Sequence, residues 1–211
     1  MLADRWIGAR FAMILVIIVM TAIFVSAPGR AADASGDAQA FIAGLADRAI
    51  SALTPPGISR DERETRARSL LNDNFAVRAI GQFVLGRYWR DASAEERAEY
   101  LRLFEDLIVV TYVDRFSRYS GETLKINRAV TDPDSGDVVV YSEISRSGGS
   151  PVQVGWRVRR ADRTFKIIDV IVEGVSMGQT QRSDFSSVIR NNGGSLDALL
   201  AEMRRRIREQ T

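Results

Sequence analysis

At Ser120-Gly121 the hydrophobic period of this chain changes from that of a helix to that of a strand, and this limits its fold more than any composition figure. Upstream, Phe41, Leu45, Ala49 and Leu53 share one helical face over residues 37–53, with Ile42 and Ile50 beside them, until Pro55-Pro56-Gly57 ends the run. Ser59-x-x-Glu62 is a capping-box signature and predicts a second helix reaching about Asn74. A third is predicted over 77–85, with Ile80, Phe83 and Val84 apolar, stopping near Gly86. Ser93-x-x-Glu96 opens the longest helix, apolar at Leu101, Phe104, Ile108, Tyr112, Phe116 and Tyr119. A second line of Leu103, Leu107, Val110 and Val113 widens that surface beyond an ordinary amphipathic stripe. Such width means burial on more than one side, or one side facing something apolar other than protein.

Downstream, Leu124, Ile126 and Val130 alternate before the turn Asp132-Pro133-Asp134-Ser135-Gly136. Val138, Val140, Ser142 and Ile144 form a second alternating set, and Gly148-Gly149 is the next turn. Val152, Val154, Trp156 and Val158 face one side of a third strand. The run 165–172, with Ile167-Ile168 and Val170-Ile171-Val172 continuous, reads as a central strand buried on both faces. A helix is predicted from near Ser183 to the stop at Asn191-Asn192-Gly193-Gly194, and another from Ser195 carrying Leu196, Leu199, Leu200 and Met203. Helices, an antiparallel meander of about four strands, then helices make an α+β fold.

Two absences bound the chemistry. The 211 residues hold no histidine and no cysteine, which excludes His-based nucleophilic triads, zinc sites of the usual N/S type, thiolate clusters and disulfides. Oxygen-ligated cations and carboxylate chemistry remain open on composition. The 29 basic residues, all arginine except Lys125 and Lys166, stand against 27 acidic ones and are interspersed with them. A nucleic-acid binder would gather its positive charge on one face. The exception, Arg204-Arg205-Arg206 with Arg208, reads as the solvated last turns of a helix, where cations complement the dipole. Asp169 and Glu173 lie four apart on or at the end of one strand. They read either as an acid/base pair in a glycosidase-like cleft, or structurally, with Asp169 on an arginine or backbone amide and Glu173 opening a turn at Gly174.

The first residues read as a secretory leader. Arg5 and Arg10 precede an apolar run from Phe11 to Val25 broken only by Thr21, and small residues follow. Residues 1–34 are assigned to this signal peptide, with cleavage after Ala31 or Ala34. An uncleaved anchor would need about 20 apolar residues, which the run approaches only by including Arg10. The remainder, 35–211, is a single domain of nearly balanced charge placed in the periplasm. No phosphate-binding glycine motif follows a strand. Where the wide helical face and the Val-, Ile- and Trp-rich sheet face do not fully meet, the gap is an apolar cavity suited to a long hydrophobic ligand.

The succession Val84-Leu85-Gly86-Arg87-Tyr88-Trp89-Arg90, Ala94-Glu95-Glu96-Arg97-Ala98-Glu99-Tyr100, Thr111-Tyr112 and Tyr119-Ser120-Gly121 resembles the MlaC (toluene-tolerance) family. So does the later part: Trp156-Arg157-Val158, then Asp169-Val170-Ile171-Val172-Glu173-Gly174-Val175-Ser176, Phe185 and Gly193-Gly194. The resemblance covers residues 37–208. It implies a curved, nuclear-transport-factor-like sheet with added helices around an apolar cavity. It also implies a periplasmic protein of Gram-negative bacteria that is not an enzyme, carries no cofactor and has phospholipid as cargo, its acyl chains inserted and its headgroup left largely outside. The implied partners are an outer-membrane MlaA–porin complex and an MlaD-type ring on an inner-membrane ABC transporter. One class of relatives is associated with hopanoids; a protein-only periplasmic adaptor or an isomerase-type enzyme on the same fold are the other readings. On the lipid reading the expected lining is Phe83 and Val84 on the third helix and Phe104, Leu107, Ile108 and Tyr112 on the long helix. The sheet is expected to add Trp156, Ile168, Val170 and Val172, with Tyr112 and Trp156 presenting polar tips at the mouth.

Overall fold

Serines place the starts of four helices. In the computed structural model, which describes residues 29–145 and 149–210, Ser59 opens α2 (Arg60–Asn74) by accepting the Glu62 N–H. Ser93 and Glu96 complete a reciprocal capping box at α5 (Ala94–Ser117). Ser195 accepts the Ala198 N–H at the start of α7 (Leu196–Gln210). The fourth is Ser176, which caps α6 (Met177–Asn191) through the Gln179 N–H. The expected start near Ser183 is therefore too late. Ser176-x-x-Gln179 carries the same capping pattern, but Gly178 and the strand-like run before it hide the signal. The remaining helices are α1 (Gly29–Leu53), α3 (Val77–Leu85) and the single turn α4 (Tyr88–Asp91). One turn is too short to leave a periodicity, and α4 is held from outside by Arg97, whose guanidinium bonds the Trp89 and Arg90 carbonyls. The leader assigned to residues 1–34 lies outside the described residues up to Pro28, and from Gly29 onward it forms the first turns of α1.

Between α3 and α4 the chain turns at Gly86, with φ 61° and ψ −127°, a backbone region that other residues enter only under strain. A Cβ there would also stand 3.1 Å from the Arg182 guanidinium. Gly86→Ala is expected to cost about 1–3 kcal/mol, read as a lower urea midpoint at unchanged slope. An unchanged midpoint would mean that this turn relaxes freely.

The sheet is an open antiparallel meander in the order β1-β2-β3-β4-β5: Thr123–Thr131, Val138–Ser145, Val152–Ala161, Thr164–Val172 and Val175–Ser176. It has one strand more than expected, because the turn at Glu173-Gly174, both at positive φ, folds two residues back onto β4. Two bulges reset its phase. In β1, Asn127 is the extra residue, so Ile126 pairs with Ser142 but Arg128 with Tyr141. This turns Ala129 inward and leaves Val130 43% exposed, against the expected Leu124–Ile126–Val130 alternation. In β4, Ile168 is the extra residue: Asp169 faces Arg157 while Ile167 faces Val158. The continuous apolar run is thus two alternating segments joined out of phase, not a strand buried on both faces. Its consequence is that Phe165, Ile167, Val170 and Val172 share one face.

The apolar interior is divided. In the helical cluster Tyr100 stacks on Phe104, and Phe185 meets both rings edge-on, with Leu199, Leu200 and Met203 behind them. Tyr100 donates to the Gly81 carbonyl at 3.0 Å, and burial pushes its phenol well above the ordinary range. In the sheet cluster Ala38, Ile42 and Leu45 of α1 cover Val138, Val140, Val158, Phe165 and Ile167. Phe75, between α2 and α3, packs against both clusters. It bridges Ile167, whose carbonyl accepts the Ala76 N–H. Lys166 ties the same place by bonding the Asn72 and Asp73 carbonyls at the end of α2.

Candidate functional site

Cross-strand pairing sets the inner face of the sheet row by row. Nearest the α1 cover is the row Val138, Val158 and Ile167; beyond it come Val140, Trp156 and Val170, then Ser142, Val154 and Val172, then Ile144 and Val152. Val138, Val140, Ser142, Val154, Val158 and Ile167 are buried, whereas Trp156, Val170 and Val172, and Ile144 and Val152 in the last row, keep partial exposure. The polar groups within the rows satisfy one another. Trp156 Nε1 donates to Ser142 Oγ at 3.0 Å, and Ser142 Oγ donates to the Val154 carbonyl at 3.1 Å. With those donors engaged, what the face offers outward is hydrocarbon.

Apart from α1, which covers the inner face, the helices approach the sheet at the β4–β5 end. The close backbone approaches of α2 and α3 are to β4 and those of α6 to β4 and β5, while α5 packs on α2, α3 and α7. A domain of this size ordinarily has one contiguous core. Here the buried apolar residues fall into two clusters that both touch Phe75, and partly buried apolar side chains border each of them; the boundary between the two clusters is termed the seam. On the helical wall, Ile108 is partly buried against its own cluster. Phe83 and Tyr112 are 43% and 44% exposed, each under a guanidinium: Arg182 at 5.1 Å from the Phe83 ring and Arg115 at 5.0 Å from the Tyr112 ring.

The expected lining therefore separates into two groups. Val84, Phe104 and Leu107 are packed inside the helical core, 1, 4 and 9% exposed. They bind helix to helix and face their own neighbours. Because the apolar residues of α5 from Leu101 to Tyr112 spread around the helix among charged ones, its periodicity does not distinguish the side facing other helices from the side left partly open. Ile108, Trp156, Ile168, Val170 and Val172 keep partial exposure, and Phe83 and Tyr112 are exposed. The seam is not a formed chamber. Two open concavities mark the described surface, about 430 and 310 Å³; they share Asn72, Val77 and Arg78 and lie on the α2–α3 flank. Sequence reasoning missed Phe75, the residue that joins the clusters; its position just after Asn74, the end of the second predicted helix, was the available signal.

The two carboxylates singled out as an acid/base pair are engaged by backbone. Asp169 Oδ1 accepts the Val170 and Gly178 amides at 2.9 and 3.1 Å, joining β4 to the first turn of α6. Glu173 donates its N–H to the Gln153 carbonyl and accepts the Gln153 N–H on Oε1, clamping the β4–β5 turn to β3. Their geometry is that of the structural reading. Among the described residues no three acidic side chains gather where they could hold a metal ion, and no helix is long and apolar enough to cross a membrane.

Comparison with known proteins adds the following. The model of one family, MlaC protein, matches residues 44–205. The intermembrane phospholipid transport system binding protein MlaC of Haemophilus influenzae is 25% identical over 126 residues, 58% of either chain. The toluene tolerance protein ttg2D of Pseudomonas putida is 22% identical over 111 residues, 53% of this chain and 51% of that one. The matched region thus spans little more than half the length of these relatives. Among solved structures, a phospholipid-binding protein of Ralstonia solanacearum, in complex with a phospholipid, superposes with a TM-score of 0.72 over 82% of this chain and 98% of that one, at 23% identity. The likeness is one of fold.

Proposed function

The chain belongs to the MlaC family, and from that premise we propose that it is a periplasmic lipid carrier, holding phospholipid acyl chains in the seam between its two apolar clusters. The divided interior is the observation that carries this reading. Side chains that would close a single core in a domain of this size instead stay partly exposed at the borders of two clusters: Trp156 and Val170, with Val172 beside them, on the sheet, and Ile108 on α5. Phe83 and Tyr112, each backed by an arginine, stand at the margin where an apolar tail would give way to a polar headgroup.

The physics makes a carrier sufficient without catalysis. Burying a CH₂ is worth ~0.8 kcal/mol, so two 16-carbon chains represent roughly 25 kcal/mol against water. From a bilayer, where the chains already lie in hydrocarbon, transfer into an apolar seam is near balance. The protein removes the aqueous barrier and sets no direction; its partners do. We take these to be an MlaA–porin complex and an MlaD-type ring, a reading supported by the intermembrane transport named for the Haemophilus relative. Docking through the arginine-rich exterior is expected to weaken at least tenfold between 50 and 500 mM salt; salt-insensitive binding to the ring would argue against that surface.

The deciding experiment is to express the full chain, purify it from the cell envelope, extract it with organic solvent and record lipid and intact-protein masses. The expected result is stoichiometric glycerophospholipid on a protein that has lost its leader after Ala31 or Ala34. A hopanoid in place of phospholipid would redirect the cargo, and a protein with no bound lipid would sink the carrier reading.

A further inference from the structure

Among the described residues the interior holds one side-chain polar atom with no hydrogen-bond partner in the protein, Gln181 Nε2. A carboxamide nitrogen carries two donors, and leaving them dry and unpaired is among the costlier arrangements a folded chain can keep.

Its surroundings place it on the seam. Gln181 follows Gly178 by three residues and precedes Phe185 by four, so the three share one face of α6. At Gly178 that face meets β4 through Asp169, and it meets α3 through Phe83, whose ring edge would lie 3.4 Å from a Cβ at Gly178. At Phe185 the face enters the ring cluster of Tyr100 and Phe104. Gln181 thus stands where the helical cluster ends and the sheet begins. It bonds no acceptor at either end: Asp169 Oδ1 is taken by two amides, and the rings of Phe185 and Phe104 offer none.

We propose that the Gln181 amide donates to an ester carbonyl of the bound lipid, at the point where an acyl chain joins its polar part. The inference rests on the lipid-carrier reading and sharpens it: the chemical class recognised inside the seam is an ester-linked lipid. A neutral carbonyl is the acceptor that can follow a hydrocarbon chain into an apolar seam. A phosphate would have to leave its water beside aromatic rings, and a saturated tail has nothing to accept with. The hydrogen bond also fixes how deep the chains go.

The test uses vesicles containing equal amounts of an ester-linked phosphatidylethanolamine and its ether-linked analogue, with matched 16-carbon chains. The mature protein is incubated with them, repurified and extracted, and the ratio of the two lipids is read by mass spectrometry. Wild type is expected to take up the ester lipid with about five- to tenfold preference, as for one hydrogen bond that is otherwise left unmade. Gln181→Met, close in size and without a donor, is expected to take up both equally, with undiminished total lipid and a melting temperature no lower than wild type. Equal uptake by wild type, or a preference surviving in Gln181→Met, would overturn the proposal; the wild-type ratio decides even if the variant does not fold. Uptake of neither lipid would instead overturn the carrier reading beneath it.

Discussion

Val170→Glu is expected to abolish lipid retention while the protein stays folded, and Ile108→Glu to do the same from the opposite wall. Each position is only partly buried at the border of its apolar cluster, so in the folded chain alone a glutamate can turn its carboxylate to water. With acyl chains in place the carboxylate loses that water and gains no partner, which costs at least several kcal/mol. Shared over an exchange that is otherwise near balance with a bilayer, this suffices to empty the seam. The matched control is Val130→Glu, one β-bulge out of phase, 43% exposed on the other face. It is expected to retain lipid as wild type does. The measurement is lipid phosphorus per protein after purification, with circular dichroism to verify folding. A Val170→Glu protein that stays folded with a full complement of lipid would remove this wall from the site.

Phe185→Ala is expected to produce the largest loss of stability, about 3–5 kcal/mol. The ring is 1% exposed and meets Tyr100 and Phe104 edge-on at 6.3 and 6.5 Å. Removing it withdraws the contact that pins α6 to α5, and the hydrogen-bonded Tyr100 cannot swing in to fill the space without leaving the Gly81 carbonyl. At roughly 2–4 °C per kcal/mol for a domain of this size, the melting temperature should fall by about 6–20 °C. A fall below about 2 °C would show that the helical core collapses around the gap, and that the two clusters are less independent than their separation suggests.

The two substitutions probe parts of the molecule that were unequally legible. The helical core announced itself: Ser59, Ser93 and Ser195 with their downstream partners mark helix starts, and capping is a contact between residues three apart, so local sequence carries it. The start of α6 was misplaced because Gly178 weakens the same local signal, although Ser176 makes the cap. The seam was legible only in character. That a wide helical face and a valine-rich sheet face would leave something apolar unmatched followed from their excess of hydrocarbon. Which residues of α5 face outward did not follow: Phe104 and Leu107 joined the core while Ile108 faces its edge. Gln181 carried no sequence signal at all, since an unpaired amide differs from a solvated one only by what surrounds it.

From the chain alone came the order of helices and strands, the exclusion of histidine and thiol chemistry, and the expectation of an apolar ligand. Each depends on residue type or on spacings within a few positions. The tertiary structure alone decided that Asn127 and Ile168 bulge, that Val170 and Val172 therefore join Ile167 on the inner face, and that the interior divides at Phe75. A bulge is settled by which register lets two strands and the helix over them bury the most hydrocarbon at once, and that competition exists only after distant segments have met.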